Sequence, residues 1–251
     1  ALHESNSLPG VSVKMLASKA DLVMLGTEDA KKHLGECKKC VVTGNPLRNN
    51  IPIEEKSAAR KRLGLPDCLT ILSAGGSQGA SRLNEAVVQL LAYEQKKGNI
   101  NHIHGYGKHG RDTFMQSLED NGVDAGNPHF IIKEYIDNMY TCMCASDLII
   151  TRAGAMTLTE ITAIGRASVL IPYPYAAENH QYYNALTLQN ANAGRIIDDK
   201  ELTGSVLIDT VNRLADDPEL LRLMSENAAK LSKRDAAGKI LREITELMGI
   251  K

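Results

Sequence analysis

No apolar run in this chain of 251 residues is longer than a strand, so no segment reads as a membrane-spanning helix. No charged-then-apolar leader opens it either, and the expectation is a soluble chain still free to dock on a membrane surface. An excess of one charge is missing as well: 29 Lys and Arg stand against 30 Asp and Glu, a formal net charge of −1. With no basic stripe to offset that balance, nucleic acid is not expected as a partner. The five cysteines are odd in number and unevenly spaced, which gives no disulfide framework and reads as reduced thiols. Cys37-x-x-Cys40 and Cys142-x-Cys144 carry four zinc-ligand atoms but not the paired-knuckle spacing, and zinc is set aside. There is no internal repeat and no low-complexity tract.

What is present is an ordinary globular composition, 43% apolar and 24% charged, in a chain long enough for one large or two small domains. The sequence is organised around Arg152 to Ala185. An apolar run at Leu148–Ile150 reads as a buried parallel strand, and Ala153-Gly154-Ala155 turns the chain into a helix carrying Met156, Leu158, Ile161 and Ile164. Strand, glycine turn and helix start present backbone N–H groups and a positive dipole end to an anion such as a phosphate. Glu160, about one and a half turns in, is placed to accept two hydrogen bonds from a vicinal diol, and a ribose is such a diol. A second strand, Ala167–Ile171, enters Pro172-Tyr173-Pro174-Tyr175, and Glu178, Asn179, His180 and Gln181 follow at the next helix start. Those four polar groups suit a ligand rich in hydroxyls, and equally suit plain helix capping.

Regular strand–helix alternation begins at Leu69, which predicts an α/β fold with a parallel sheet and helices on both faces. Leu69–Ala74 reads as its first strand, Gly75-Gly76-Ser77-Gln78-Gly79 as a loop that lets backbone approach a diphosphate, and Ser81–Ala92 as a helix. The loop lacks the dinucleotide fingerprint, and His102-Ile103-His104-Gly105 stands where a ribose-binding acid is expected, which disfavours a nicotinamide enzyme. His102 and His104 share one face of a strand by alternation, with His109 in the next loop, and a metal cluster is not expected there. Phe130–Lys133 is a further strand, leading through Glu134–Asp137 into a helix at Asn138–Ala145, and Arg195–Ile197 is the last strand. Three amphipathic helices, Glu201–Ala215, Pro218–Leu231 and Ala236–Met248, cover the sheet. Ahead of Leu69, Ala1–Asn6 shows no strand, Leu8–Ala20 reads as a helix, Leu22–Leu25 as a strand, Glu28–Leu34 as a short helix and Val41–Thr43 as a strand. Gly44-Asn45-Pro46 marks a domain boundary, and Asn49–Arg62 a polar linker running into a helix. His3 and Glu4 are of acid/base type, and equally read as the solvated start of the chain.

Three motifs in order, VVTGNPLR at Val41–Arg48, GGSQGA at Gly75–Ala80 and the window from Arg152, resemble the MurG family. Its members are bacterial peptidoglycan glycosyltransferases that add N-acetylglucosamine from UDP-GlcNAc to lipid-linked muramoyl-pentapeptide. The resemblance runs the length of the chain but begins partway into the family's pattern. It implies the GT-B fold, two Rossmann-like domains with a cleft between them. Residues 1–46 would be the end of the acceptor-side domain, 47–235 the UDP-GlcNAc-binding domain, and 236–251 a helix crossing back to the first. Implied donor contacts are Asn6 and Arg48, then Gly76, Ser77 and Gln78, the backbone of Ile136 against uracil, and Gly154, Ala155, Met156, Thr157, Glu160, His180 and Gln181. Ser5 departs from the glutamine usual before that asparagine. The resemblance further implies UDP-GlcNAc as donor substrate with no separate cofactor, and no metal, since no Asp-x-Asp motif occurs. It places the family at the cytoplasmic face of the bacterial membrane as peripheral proteins. The family's GGTGGH-type motif and its membrane-facing surface do not occur in these residues; the catalytic base is expected with them, and the chain alone is expected not to transfer sugar. Two other readings stay open: a non-catalytic donor subunit completed by a partner chain, and a UDP-GlcNAc epimerase.

Overall fold

The computed structural model describes residues 1–48, 51 and 53–250. Asn49, Asn50 and Pro52 of the expected linker, and Lys251, lie outside them. In chain order the first elements are β1 (Leu2–Glu4), α1 (Val11–Leu16), β2 (Val23–Leu25), β3 (Cys40–Val42) and α2 (Lys56–Leu63). Then come β4 (Leu69–Ala74), α3 (Ser81–Lys97), β5 (Ile100–Gly105), α4 (Phe114–Asp120), β6 (Phe130–Lys133), α5 (Met139–Ala145) and β7 (Leu148–Thr151). The chain ends with α6 (Ala155–Ile164), β8 (Ala167–Leu170), α7 (His180–Asn190), β9 (Gly194–Ile196), α8 (Gly204–Ala215), α9 (Pro218–Leu231) and α10 (Ala236–Leu247).

The strands form two parallel sheets, β1-β2-β3 and β6-β5-β4-β7-β8-β9. In the larger sheet the chain enters at the centre, winds outward through β5 and β6, then returns to the other side of β4 for β7, β8 and β9. This is the doubly wound 3-2-1-4-5-6 order, and its switch point lies between β4 and β7. Both faces of that sheet are covered. Ile71, Leu148, Ile150 and Val169 pack with Leu83, Leu90 and Leu207 on one side. Leu72, Ile103, Ile149 and Leu170 pack with Met143, Ile161 and Leu188 on the other. Successive strand residues thus feed opposite layers, which is why Leu148–Ile150 reads as an unbroken apolar run. Each fully buried Leu or Ile contributes roughly 1.5–3 kcal/mol, so the large sheet carries most of the stability.

The polar exception inside this core is a chain of side chains joining α3, β4 and β5. Glu94 Oε2 lies 2.7 Å from His102 Nδ1, Ser73 Oγ lies 2.7 Å from His102 Nε2, and Ser73 Oγ lies 2.7 Å from His104 Nδ1. All four residues are buried, and His104 stacks on Phe114. Burial, and then the neighbouring His102, hold the His104 imidazole well below its ordinary pKa, so it is neutral. His102 and His104 do share one face, as the alternation predicts. Among the described residues no three His, Cys, Asp or Glu side chains gather in a metal-binding group.

The small sheet differs from the expectation in two places. Leu2–Glu4 is a strand, paired in parallel with Val23–Leu25, where none is read from the sequence. Three residues are too short for a periodic pattern; the pairing partner makes the strand. The helix expected over residues 8–20 is only Val11–Leu16: Gly10 is extended at φ −67°, ψ 159°, Pro9 restricts what precedes it, and no residue of α1 is buried to prolong it. The short helix expected over 28–34 is a single 3-10 turn at Asp29–His33. The last helix does reach back to the first sheet: Lys239 Nζ donates to Val42 O at 2.6 Å, and Lys39 pairs with Glu243 at 2.9 Å.

Candidate nucleotide-sugar site

Two glycine turns open side by side at the switch point. Ala74 and Thr151 are partners in the β4–β7 register, so the loops that leave them, 75–79 and 152–154, start from adjacent strand ends. Each feeds a helix whose first turn has no acidic residue and no side-chain cap: α3 after Ala80, and α6 after Gly154. By contrast, Thr203 caps α8 through Val206 N and Asp217 caps α9 through Leu220 N. Other helices of this chain also begin uncapped; what sets α3 and α6 apart is that both open at the switch point, with their N–H groups and positive dipole ends unanswered.

The first loop is built tightly. Gly79, at φ +85°, would place a Cβ 2.3 Å from Tyr106 O, and Gly107, at φ +69°, would place one 2.2 Å from Gly79 N. Lys108 N and His109 N donate to Ser77 O and Gln78 O, fastening this loop to the one after β5. Those bonds use main chain, and Gly76, Ser77 and Gln78 remain exposed. The second turn is open. Gly154 has an ordinary φ of −66°, and a Cβ there would meet only Thr157 Oγ1 at 3.8 Å. Neither torsion nor crowding by the protein requires glycine, so its missing methyl leaves free space at the amino terminus of α6, beside half-buried Ala155 and Thr157 and exposed Met156.

Glu160 is half-buried on α6, and Tyr140 Oη donates to its Oε1 at 2.8 Å. Burial lifts the Glu160 carboxyl above its ordinary value, against the pull of the Tyr140 bond and of the Arg48 charge. Burial, and then Glu160 itself, push the Tyr140 hydroxyl up to about 12. Arg48, exposed, thus lies near enough to α6 for its charge to act on both groups. Tyr140 was not singled out in the sequence; its cue is a hydroxyl one residue into the helix that follows the Glu134–Asp137 loop. Ile136 is buried, its side chain over Gly105.

The remaining expected residues are held differently. Gln181 Oε1 accepts from Ala153 N at 3.1 Å and from Tyr173 N at 3.0 Å, bracing the glycine turn against the proline loop. Half-buried His180 is turned back onto Ala177 O, and Glu178 and Asn179 sit at left-handed φ of 49° and 56° rather than capping α7 with their side chains. Asn6 donates to Glu4 and accepts from Asn184 Nδ2 at 3.1 Å, a bridge between the sheets. Glu4 and His3 are not placed as an acid/base pair. The buried Glu4 carboxylate accepts from Asn6 N, Asn6 Nδ2 and Gly10 N, while His3 Nε2 faces Gly44 O at 3.2 Å.

Sequence reasoning also passed over the seam between the sheets. Asn45 Nδ2 donates to Thr159 Oγ1 and Ser5 O, Ser7 N donates to Asn184 Oδ1, and Thr187 Oγ1 donates to Asp29. A cavity of about 360 Å³ lies along this seam, bounded by Asn45, Thr159, Thr162 and Asn184. It shares Ala155 with the expected donor residues but not Glu160, so it runs along another face of α6.

A doubly wound sheet with glycine turns at its switch point, set against a second parallel sheet, defines a GT-B type α/β protein. Residues 70–240 match the model of the glycosyltransferase family 28 C-terminal domain. The chain is 36% identical over 249 residues to the UDP-N-acetylglucosamine–N-acetylmuramyl-(pentapeptide) pyrophosphoryl-undecaprenol N-acetylglucosamine transferase of Desulforamulus reducens, covering 98% of this chain and 67% of that protein. It is 39% identical over 247 residues to the protein of the same name from Thermoanaerobacter sp. strain X514, with 98% and 67% covered. The chain belongs to this family, the MurG glycosyltransferases, and spans about two thirds of the length of these relatives. The crystal structure of Acinetobacter baumannii MurG superposes with a TM-score of 0.77 at 27% identity, covering 98% of this chain and 66% of that one. A UDP-GlcNAc 2-epimerase from Neisseria meningitidis superposes at 0.67 with 15% identity, covering 98% and 69%, which is a likeness of fold alone.

Proposed function

We propose that this chain is the donor-binding portion of a transferase that moves N-acetylglucosamine from UDP-GlcNAc to lipid-linked muramoyl-pentapeptide, at the cytoplasmic face of the bacterial membrane. The observation that carries this reading is the pair of uncapped helix starts at adjacent strand ends, one beside the space left by Gly154, with Glu160 beyond it on α6. In this reading the diphosphate lies across the starts of α3 and α6, with Arg48 adding positive charge and Ser77 a hydroxyl; the donor is held without a metal. Glu160 accepts from the ribose hydroxyls, and the uracil meets main chain at Ile136. Residues 1–46 form part of the acceptor-side domain, 47–235 the donor domain, and 236–251 the return helix.

Chemically, these residues orient the donor and stabilise the charge that develops on UDP as it leaves. The base that deprotonates the acceptor hydroxyl is assigned to none of them, because Glu4 is already occupied by three hydrogen bonds. Calorimetric titration of the folded chain with UDP, UDP-GlcNAc and NAD tests the donor site. Saturable binding of UDP and UDP-GlcNAc but not NAD is expected; preference for NAD, or no UDP binding, would sink the proposal.

A further inference from the structure

The Cys37-Lys38-Lys39-Cys40 motif belongs to no part of the site above, and its surroundings give it a chemistry of its own. Both cysteines are half-buried and pack against the same small core of Val23, Leu25, Ala30 and Val42. Cys40 is the first residue of β3, opposite Val23, and the residue before it is fixed: Lys39 O accepts from Val23 N at 2.8 Å, and Lys39 Nζ pairs with Glu243. Cys37 lies in the irregular segment that leads to it, three residues ahead and packed on the same core. The other cysteines lack this arrangement. Cys142 and Cys144 are buried two residues apart on α5, a spacing that puts them on different faces of the helix, and Cys68 lies beside His129.

We propose that Cys37 and Cys40 form a dithiol modification site that reacts with low-molecular-weight disulfides and closes into an intramolecular Cys37–Cys40 bond. The order of events follows from the surroundings. Cys40 is fixed at the start of β3, whereas Cys37 lies in the irregular segment ahead of it and attacks first; burial, and then the adjoining Cys37, push the Cys40 thiol up to about 11. The Cys37 thiolate displaces one thiolate from the disulfide and forms a mixed disulfide; the leaving thiolate takes a proton. Cys40 then gives up its proton and attacks the Cys37 sulfur, expelling the second thiolate. Two protein thiols are oxidised by two electrons, and one disulfide is reduced to two thiols.

The test equilibrates the 251-residue chain with oxidised glutathione, blocks free thiols by alkylation, and maps tryptic peptides without reduction. Trypsin cuts after Lys38 and Lys39, inside the motif, so reduced protein yields residues 33–38 and 40–48 as separate alkylated peptides. The expected result is that these two peptides remain joined, with two hydrogens lost, and that dithiothreitol separates them, while Cys142 and Cys144 take no part. In Cys40→Ser, exchange should stop with one glutathione on Cys37. Separate alkylated peptides after oxidation, stable glutathione on both cysteines of the native chain, or a bond from either one to Cys68 would overturn the proposal. The native-chain map decides this even if the variant does not fold.

Discussion

At the carboxyl end of β1, the Glu4 carboxylate accepts three hydrogen bonds, and Asn6 just beyond it is shared between Glu4 and Asn184. At the carboxyl end of β4, Ser77 and Gln78 are held through main-chain carbonyls and keep their side chains in the open. The two sheets thus place residues of the same polar kinds in the same topological position and use them differently. In the small sheet they satisfy backbone that strands of three residues leave unpaired, and they stitch that sheet to α6 and α7. At the end of β4 the loop is held main chain to main chain, which leaves its side chains unused. The lesson is that a polar residue after a parallel strand is free for a ligand only where the scaffold does not need it.

The contrast is sharpest inside the first glycine loop. Gly79→Ala forces a Cβ onto Tyr106 O at φ +85° and should cost roughly 3 kcal/mol or more in urea denaturation. Gly76→Ala, at φ +87° but in open space, should cost only about 1 kcal/mol of backbone strain. Equal losses would mean that the latch to the β5 loop does not shape the turn.

In the small sheet, Glu4→Ala strands the Asn6 and Gly10 N–H groups and should lower stability by about 2–3 kcal/mol, with UDP affinity in the folded fraction unchanged. A normal unfolding midpoint combined with lost UDP binding would move Glu4 from fastener to ligand.

Glu160→Gln reverses that pattern. It keeps an acceptor for Tyr140 but replaces charge-assisted bonds to the ribose, so UDP affinity should fall by one to two orders of magnitude, from roughly 1.5–3 kcal/mol. Stability at neutral pH should hold or rise slightly, since burial disfavours the charged carboxylate. The sign extends to pH: the folded carboxyl keeps its proton to higher pH than the unfolded one, so its contribution to stability falls as pH rises from the ordinary value of 4.5 through the raised one. The variant should lose that slope. A lowered melting temperature with UDP binding intact would make Glu160 structural.

Much of the large sheet was legible, because strands such as Leu148–Thr151 and Phe130–Lys133 are short, mainly apolar runs that alternate with helix patterns. Leu69–Ala74 and Phe130–Lys133 have the expected bounds, and Pro218–Leu231 is found as read. Much of the small sheet was not legible: β1 exists through its partner β2, and α1 is short because none of its residues is fully buried, Val13 alone of them packing on the small core. The same reason hid the seam. Asn45 lies in a turn read only as a boundary, Asn184 and Thr187 on a helix face, and the meeting of two sheets gives them these partners. Glu160 could be singled out from its distance along α6, whereas Tyr140 comes to it from another helix, 20 residues away in sequence.

The buried chain from Glu94 through His102 and Ser73 to His104 has a consequence for how the large sheet is assembled. The chain ties three elements together: Glu94 of α3 to His102 of β5, and Ser73 of β4 to both His102 and His104 of β5. Sliding β4 against β5 by one residue would turn Ser73 to the opposite face and leave His102 Nε2 and His104 Nδ1 without their partner in a dry interior. The main-chain ladder tolerates such a slip, since every peptide group is alike; these side chains do not. They act as a key cut for one alignment, and the latch from Ser77 and Gln78 to the loop after β5 inherits its spacing from it.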